Sequence, residues 1–286
     1  MYWQDDPLHQ DLVKNMSLRQ SKSIQHLSRF VGKFFYSRPE QTEGLYWLSI
    51  WSCDGSLESA TFNDVLNRLV LPLVMKDEEV MVVFKLRNTS PAARGGNSSN
   101  DYQPVRCGPY VLAARLRDIQ MLCTSSVLQS LAINNRNSQD SRSFRTQVKT
   151  WELVQRYEPK NNNKMKGTCM VAVFITPAQG QEQEIDDWYR KDRIPLLVST
   201  PVVIRCTRYR LRPGILPGCR DDGPTSLCLH ECVSTKDLLD YAIQHGQIFP
   251  ETDWSKRIFD SATHVERTIW DITGKYQQAD LHLDKL

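Results

Sequence analysis

The sequence predicts an α+β protein built from two tandem β-α-β-β-α-β repeats whose sheets close on one another within one chain. Three observations predict it. The same order of strand-like and helix-like patterns runs through the chain twice. In each half the first helix meets a proline after an aliphatic residue, Leu71-Pro72-Leu73 in one and Ile194-Pro195-Leu196 in the other. Each half also carries its longest loop between its second and third strands. A sheet with helices on one side leaves its other face to be covered, and the sister sheet is the nearest cover.

Residues 1–40 form an N-terminal arm in which Ile24, Leu27, Val31, Phe34 and Phe35 recur at helical spacing beside Lys22, His26, Arg29 and Lys33. The spacing predicts a basic amphipathic helix that packs on the body or on a second subunit, giving a homo-oligomer through the arm. The first repeat, 41–158, opens with Leu45 to Trp51, rich in β-formers. Phe62, Val65, Leu66, Leu69 and Val70 keep the spacing of a helix expected to stop near Pro72. Val80 to Leu86 is the second strand. Asn88 to Gly108, rich in Ser, Asn and Gly, is long for a connection and reads as a mobile loop or a lid. Tyr110 to Leu116 is the third strand, Ile119 to Ile133 the second helix, and Phe144 to Tyr157 holds the fourth strand.

A polar linker, 159–166, precedes the second repeat and its tail, 167–286. Its first strand is Thr168 to Thr176. In the helix Gln181 to Leu197, Glu182, Glu184, Asp186 and Asp187 crowd the early turns, where negative charge suits the positive end of the dipole. Pro195 ends or kinks it, and Pro201 starts the next segment extended. Val202 to Leu211 and Leu227 to Val233 are strands, Lys236 to Gly246 is a helix, Trp254 to Ala262 reads as another, and Thr268 to Ile272 is the last strand.

The net charge of +3 is dispersed, which argues against nucleic acid. No apolar run approaches a membrane span, so no integral membrane segment is expected. The eight cysteines accompany a first stretch with no continuous apolar region, which predicts free thiols and a cytoplasmic setting. No Gly-rich phosphate loop or clustered Cys/His set occurs, so no metal site and no cofactor are expected.

The stretch Met170 to Tyr209, with Thr176-Pro177, Trp188-Tyr189 before Ile194-Pro195, and Arg208-Tyr209 on the next strand, resembles the EthD-like branch of the dimeric α+β barrel superfamily. Glu231 on the third strand fits it as well. The resemblance implies two fused ferredoxin-like repeats forming an intramolecular dimeric α+β barrel. It also implies a secondary-metabolism enzyme, without cofactor, acting on a small apolar polyketide- or terpenoid-like substrate. Cyclases, isomerases and decarboxylases are represented in that superfamily, as are proteins that only bind ligands. The histidine that commonly precedes the Ile-Pro pair is absent: Arg193 stands there, and Val70 in the first repeat. Arginine stays protonated and valine has no proton to give.

A reaction with no proton transfer in its slow step needs no such histidine. The expectation is therefore a cyclase or isomerase, including a Diels–Alder type pericyclase, working by conformational preorganisation and hydrogen bonding. Arg193, Arg208, Tyr189, Tyr209 and His230 are the candidate catalytic donors, and Trp188, Asp192, Trp47 and Trp51 the candidate substrate-binding residues. His230, alone on its strand, is either a general base or a packed core histidine. Asp192 is either an ion-pair partner of a neighbouring arginine or a pocket group. Strand alternation puts Arg208 and Tyr209 on opposite faces of the sheet. The alternatives to the pericyclic reading are acid-base catalysis by a polyketide cyclase or decarboxylase, and a non-catalytic binding module.

Overall fold

The structure, a computed structural model, describes residues 32–36, 42–52, 63–64, 66–89, 110–126, 128–130, 144–159, 166–216 and 223–277; for 32–36, 51–52, 69, 144–145 and 158–159 it describes the backbone alone. Nine strands are present among them: β1 (Gly32–Tyr36), β2 (Gly44–Ser52), β3 (Val80–Asn88), β4 (Tyr110–Leu116), β5 (Phe144–Pro159), β6 (Cys169–Thr176), β7 (Val203–Leu211), β8 (Ser226–Cys232) and β9 (His264–Gln277). Eight of them close into an antiparallel barrel in the order β5-β2-β4-β3-β9-β6-β8-β7, with β7 returning to β5. Each repeat contributes four strands, and the seams between repeats are β3 with β9 and β5 with β7. This is the closed α+β barrel of two fused ferredoxin-like repeats, and closure leaves those eight strands no free edge apart from the end of β5.

The duplication is visible in the structure. The π turns Leu66–Val70 and Tyr189–Arg193, the short helices α1 (Leu71–Met75) and α3 (Ile194–Val198), and strands β3 and β7 all repeat at one constant sequence offset. The register shifts repeat too, at Val80/Val82 on β3 and at Val203/Arg205 on β7. Both prolines lie at the second position of their short helix. A proline has no N–H for the carbonyl four residues back, and the preceding turn widens to π rather than breaking. The helix does not stop near Pro72, as its sequence predicts; it winds on to Met75.

Three cores follow from strand alternation. One fills the space between the first sheet and its helices, around Tyr46, Leu66, Leu112 and Leu128. The second does the same in the second repeat, under α2 (Glu182–Trp188), α3 and α5 (Asp253–Ser261). The third is the barrel lumen, where Trp47 packs edge-on against Phe174 and Trp270, with ring centroids 5.8 Å apart in both pairs. Helix α4 (Thr235–His245) is capped by Ser234 and closed by Gly246 at φ 72°, a conformation that suits glycine. The Thr252 side chain caps α5.

Several expectations are corrected. Gly32–Tyr36 is a strand paired with Gln155–Pro159 of the chain's own β5, not the end of an amphipathic helix. Strand β5 outruns β2 beyond Glu152, and its bare edge there is what β1 covers. Ile119–Cys123 is a 3-10 turn capped by Asp118 rather than the first turns of a long α-helix. The last strand spans His264–Gln277, well beyond Thr268 to Ile272, because β9 serves both β6 and β3. Residues 1–31, most of the Asn88–Gly108 loop, most of the linker and the last nine residues lie outside the described residues. Among the described residues, no helix is long and apolar enough to cross a membrane.

Candidate functional site

The constant offset, together with the matching pairing of β3 with β4 and of β7 with β8, shows where the two halves differ. Facing its helices, the second repeat buries Tyr189, Arg193, Cys228 and His230. The first repeat has Leu66, Val70, Leu112 and Ala114 at the corresponding positions, all of them core. Buried polar groups cost free energy unless they are partnered or used. At these positions the second repeat buries polar side chains where the first buries apolar ones.

Arg208 connects that cluster to the surface. It projects from β7 toward the helices and is 3% exposed. Its Nη2 donates to Asp186 Oδ1 at 2.6 Å, its Nη1 reaches Gln155 Oε1 at 3.4 Å, and its guanidinium lies over the Tyr189 ring at 4.1 Å. Asp186 Oδ2 also accepts from Arg210 at 3.0 Å, so one carboxylate from α2 aligns two guanidinium groups of β7. Buried Arg208 Nε and Gln155 Nε2 have no hydrogen-bond acceptor. On the outer side of Arg208 lies a groove of about 360 Å³. Val154, Pro177, Ile185 and Pro213 give it apolar walls, and Glu182, Asp186, Arg208 and Arg210 are its charged groups. That volume lies within the range of small-molecule sites, roughly 300–1,000 Å³.

Behind Arg208 the side chains are closely packed. The Tyr189 hydroxyl donates to the Cys228 sulfur, and burial holds the Tyr189 phenol far above its usual range and pushes the Cys228 thiol up to about 12. His230 Nδ1 lies 3.4 Å from Cys206 Sγ, and its ring meets Phe249 edge-on at 5.2 Å. His230 is fully buried, and its Nε2 has no hydrogen-bond partner. Burial first, and then the positive charge of Arg193 and Arg267, lowers its pKa to about 3. It is neutral at physiological pH and a weak base. Arg193 donates to the Pro250 carbonyl at 2.5 Å and sits among Trp188, Phe249 and Phe259, between 5.7 and 5.9 Å from each ring. Burial lowers its pKa from the usual arginine value.

The structure thus brings together Tyr189, Arg193, Arg208 and His230 and separates the other candidates from them. The Tyr209 side chain faces the barrel lumen, as alternation requires. Trp47 is in the lumen as well, walled in by aromatic rings rather than bordering the groove. Trp51 lies on β2, and its side chain is outside the description. Trp188 is held in the helix layer, with Nε1 donating to Ser255 Oγ at 3.2 Å. Asp192 accepts from Thr252 Oγ1 at 2.7 Å and so steadies the cap of α5; among the described residues it makes no ion pair with an arginine. Sequence reasoning missed Asp186 and Gln155. Asp186 reads as helix-dipole charge in sequence, although its place three residues before Tyr189, on the same helix side, is a signal. Gln155 has none.

Among the described residues no set of three or more His, Cys, Asp or Glu side chains is placed to hold a metal ion.

No family model and no curated protein sequence matches the chain. Solved structures do. An anthrone oxidase-like protein superposes with a TM-score of 0.54 at 9% identity, covering 86% of this chain and 97% of that one. A candidate monooxygenase of Fusobacterium nucleatum gives 0.48 at 8%, covering 83% and 95%. A ferredoxin-fold protein of Listeria monocytogenes related to antibiotic biosynthesis monooxygenases gives 0.41 at 9%, covering 81% and 96%. With the strand order and the first of these superpositions, the chain has the fold of an EthD-like dimeric α+β barrel, both halves in one polypeptide.

Proposed function

We propose that the protein is a cofactor-independent enzyme that cyclises or rearranges a small, largely apolar molecule in the groove of the second repeat. The single observation that carries this is Arg208. It is a buried guanidinium fixed by Asp186 and by the Tyr189 ring, at the edge of a groove with apolar walls. Such a group is a preorganised donor for a substrate carbonyl on which negative charge grows as bonds shift. Removing a donor of this kind typically costs about 10²–10³-fold in turnover. Apolar walls that hold reacting carbons in one conformer supply the rest, with effective molarities reaching roughly 10⁵ M or more in good intramolecular cases.

The neutral, deeply buried His230 supports a reaction without general-base catalysis, since a base with a pKa near 3 removes protons poorly at pH 7. A cyclase or isomerase fits that description, and a pericyclic closure of the Diels–Alder type fits it best, because it moves no proton. A cyclase or decarboxylase relying on this histidine fits less well. The anthrone oxidase-like relative in fold is compatible with a small aromatic or polyketide-like substrate.

The test is incubation with linear polyene and polyketide-like precursors, with boiled protein as the control. Product formed by the native protein and reduced about 10²–10³-fold in Arg208→Ala supports the reading. Saturable binding with product distribution identical to the boiled control overturns it in favour of a binding module.

A further inference from the structure

Cys169 and Cys232 face each other across β6 and β8. They are direct partners in the antiparallel register, Cys169 at the first position of β6 and Cys232 at the last of β8. Both side chains lie on the helix side of the sheet, in the second core, and both are fully buried. Residues opposite one another in such a pair have Cα atoms about 4.5–5.5 Å apart, inside the roughly 4.4–6.8 Å over which a disulfide closes. The thiols are already in contact. The Cys232 S–H donates to the Cys169 sulfur, which lowers the Cys169 pKa against the opposing effect of burial and holds Cys232 well above its usual range. Cys169 is thereby the readier thiolate. The first repeat has Gly44 and Leu116 in the matching register, so the pair has no counterpart there.

We propose that Cys169 and Cys232 are a modification site, a dithiol that hydrogen peroxide closes to a disulfide joining β6 to β8. The Cys169 thiolate attacks one peroxide oxygen, the O–O bond breaks, and the departing oxygen leaves as water once protonated. Cys169 is then a sulfenic acid. The Cys232 sulfur attacks it, gives up its proton, and displaces the second oxygen as water. The two thiols lose two electrons and the peroxide gains them. Access comes from the strand ends: the pair lies one residue in from exposed Thr168, where local opening admits a molecule little larger than water. A disulfide adds no group to the core, whereas an alkylating reagent would have to. The site shares no residue with the groove.

The experiment treats the native full chain with millimolar hydrogen peroxide, removes the excess with catalase, unfolds the protein in guanidinium with iodoacetamide, and maps the unreduced peptides by mass spectrometry. The expected result is a peptide pair linked through Cys169 and Cys232, absent before treatment and lost after dithiothreitol. The oxidised protein should also unfold at a Tm several degrees higher, since the bond constrains the unfolded chain. Cys169→Ser and, separately, Cys232→Ser should show neither change, and they report the effect of methionine oxidation alone. Cys123→Ser, at the exposed thiol, should show both changes. The linked peptide is read in the wild-type chain, so a variant that fails to fold leaves the test intact. Both cysteines alkylated after treatment, either one carried to sulfinic acid or linked to another cysteine, or a linked pair with no rise in Tm, overturns the proposal. None of these outcomes depends on whether Arg208→Ala affects turnover.

Discussion

Lys85 and Arg208 occupy the same position in the two repeats, yet among the described residues only Arg208 meets a carboxylate. Each projects from the second strand of its repeat toward the helices, and each is buried. Lys85 Nζ donates to the amide oxygen of Asn67 at 2.9 Å, and burial lowers its pKa. Arg208 has Asp186 from α2. A cation at this position is a held donor beside a groove in one repeat and a partly desolvated amine bonded to an amide in the other. Lys85→Met should therefore leave stability unchanged or raise it by about 1 kcal/mol, since a desolvated charge is removed and the exposed Asn67 can turn to water. Urea unfolding measures it, and a loss of more than about 2 kcal/mol would show that the amine stabilises the repeat.

Asp186 acts on the groove through Arg208. Asp186→Asn keeps the size of the side chain and removes the charge that aligns Arg208 and Arg210. The expected result is a fall of about tenfold in kcat with KM changed less, because an ill-held donor is lost mainly in the transition state. An unchanged kcat would mean that the Tyr189 ring and Gln155 hold Arg208 without it.

His230 gives a pH dependence of definite sign. Its folded-state pKa, about 3, lies below the ordinary 6.5, so between those values the unfolded chain binds a proton that the folded chain does not. Its contribution to stability is complete above pH 6.5 and falls away as the pH drops toward 3. His264, also lowered by burial, acts in the same direction. His230→Gln should flatten the acid limb of a plot of Tm against pH. NMR should show no titration of the His230 ring between pH 5 and 8, and turnover should be flat from pH 6 to 8 if the proposed reaction is right. A steep rate profile abolished in His230→Gln would restore acid-base catalysis.

Trp47 tests the filled lumen. Cutting it to alanine removes its edge contacts with Phe174 and Trp270 and should cost about 3–5 kcal/mol, whereas Trp47→Phe should cost clearly less. Equilibrium denaturation of both variants decides. A loss below about 1 kcal/mol for alanine would place Trp47 at an open ligand wall instead.

The thiols divide by burial. Cys169, Cys206, Cys228 and Cys232 are fully buried, while Cys123 is exposed. Burial also holds the Cys206 and Cys228 thiols well above their usual range, so the thiolate is scarce. In native protein a thiol reagent should modify Cys123 quickly and those four only on unfolding, as peptide mass mapping after timed labelling can show. Rapid native labelling of Cys228 would mean that the groove opens onto the inner cluster.

The sequence by itself determined what depends on neighbours along the chain. The two prolines, the helix caps at Ser234 and Thr252, and the alternation that splits Arg208 from Tyr209 are short-range matters of N–H groups, side-chain oxygens and pleat, and with the repeated order they imply the barrel. The tertiary structure decided what depends on register across strands. Phe34 and Phe35 have helical spacing, but the bare edge of β5 draws Gly32–Tyr36 into a strand. His230 is a plausible base in sequence; the pairing that sets it beside Cys206, under Phe249 and near Arg193, makes it neutral. Asp186 becomes the anchor of Arg208 because α2 crosses β7 at that point, and Trp47 becomes lumen core because closure brings Trp270 from the far end of the chain against it. A local pattern fixes the face on which a side chain lies, whereas solvation and charge at that face come from segments distant in sequence, and they set the chemistry.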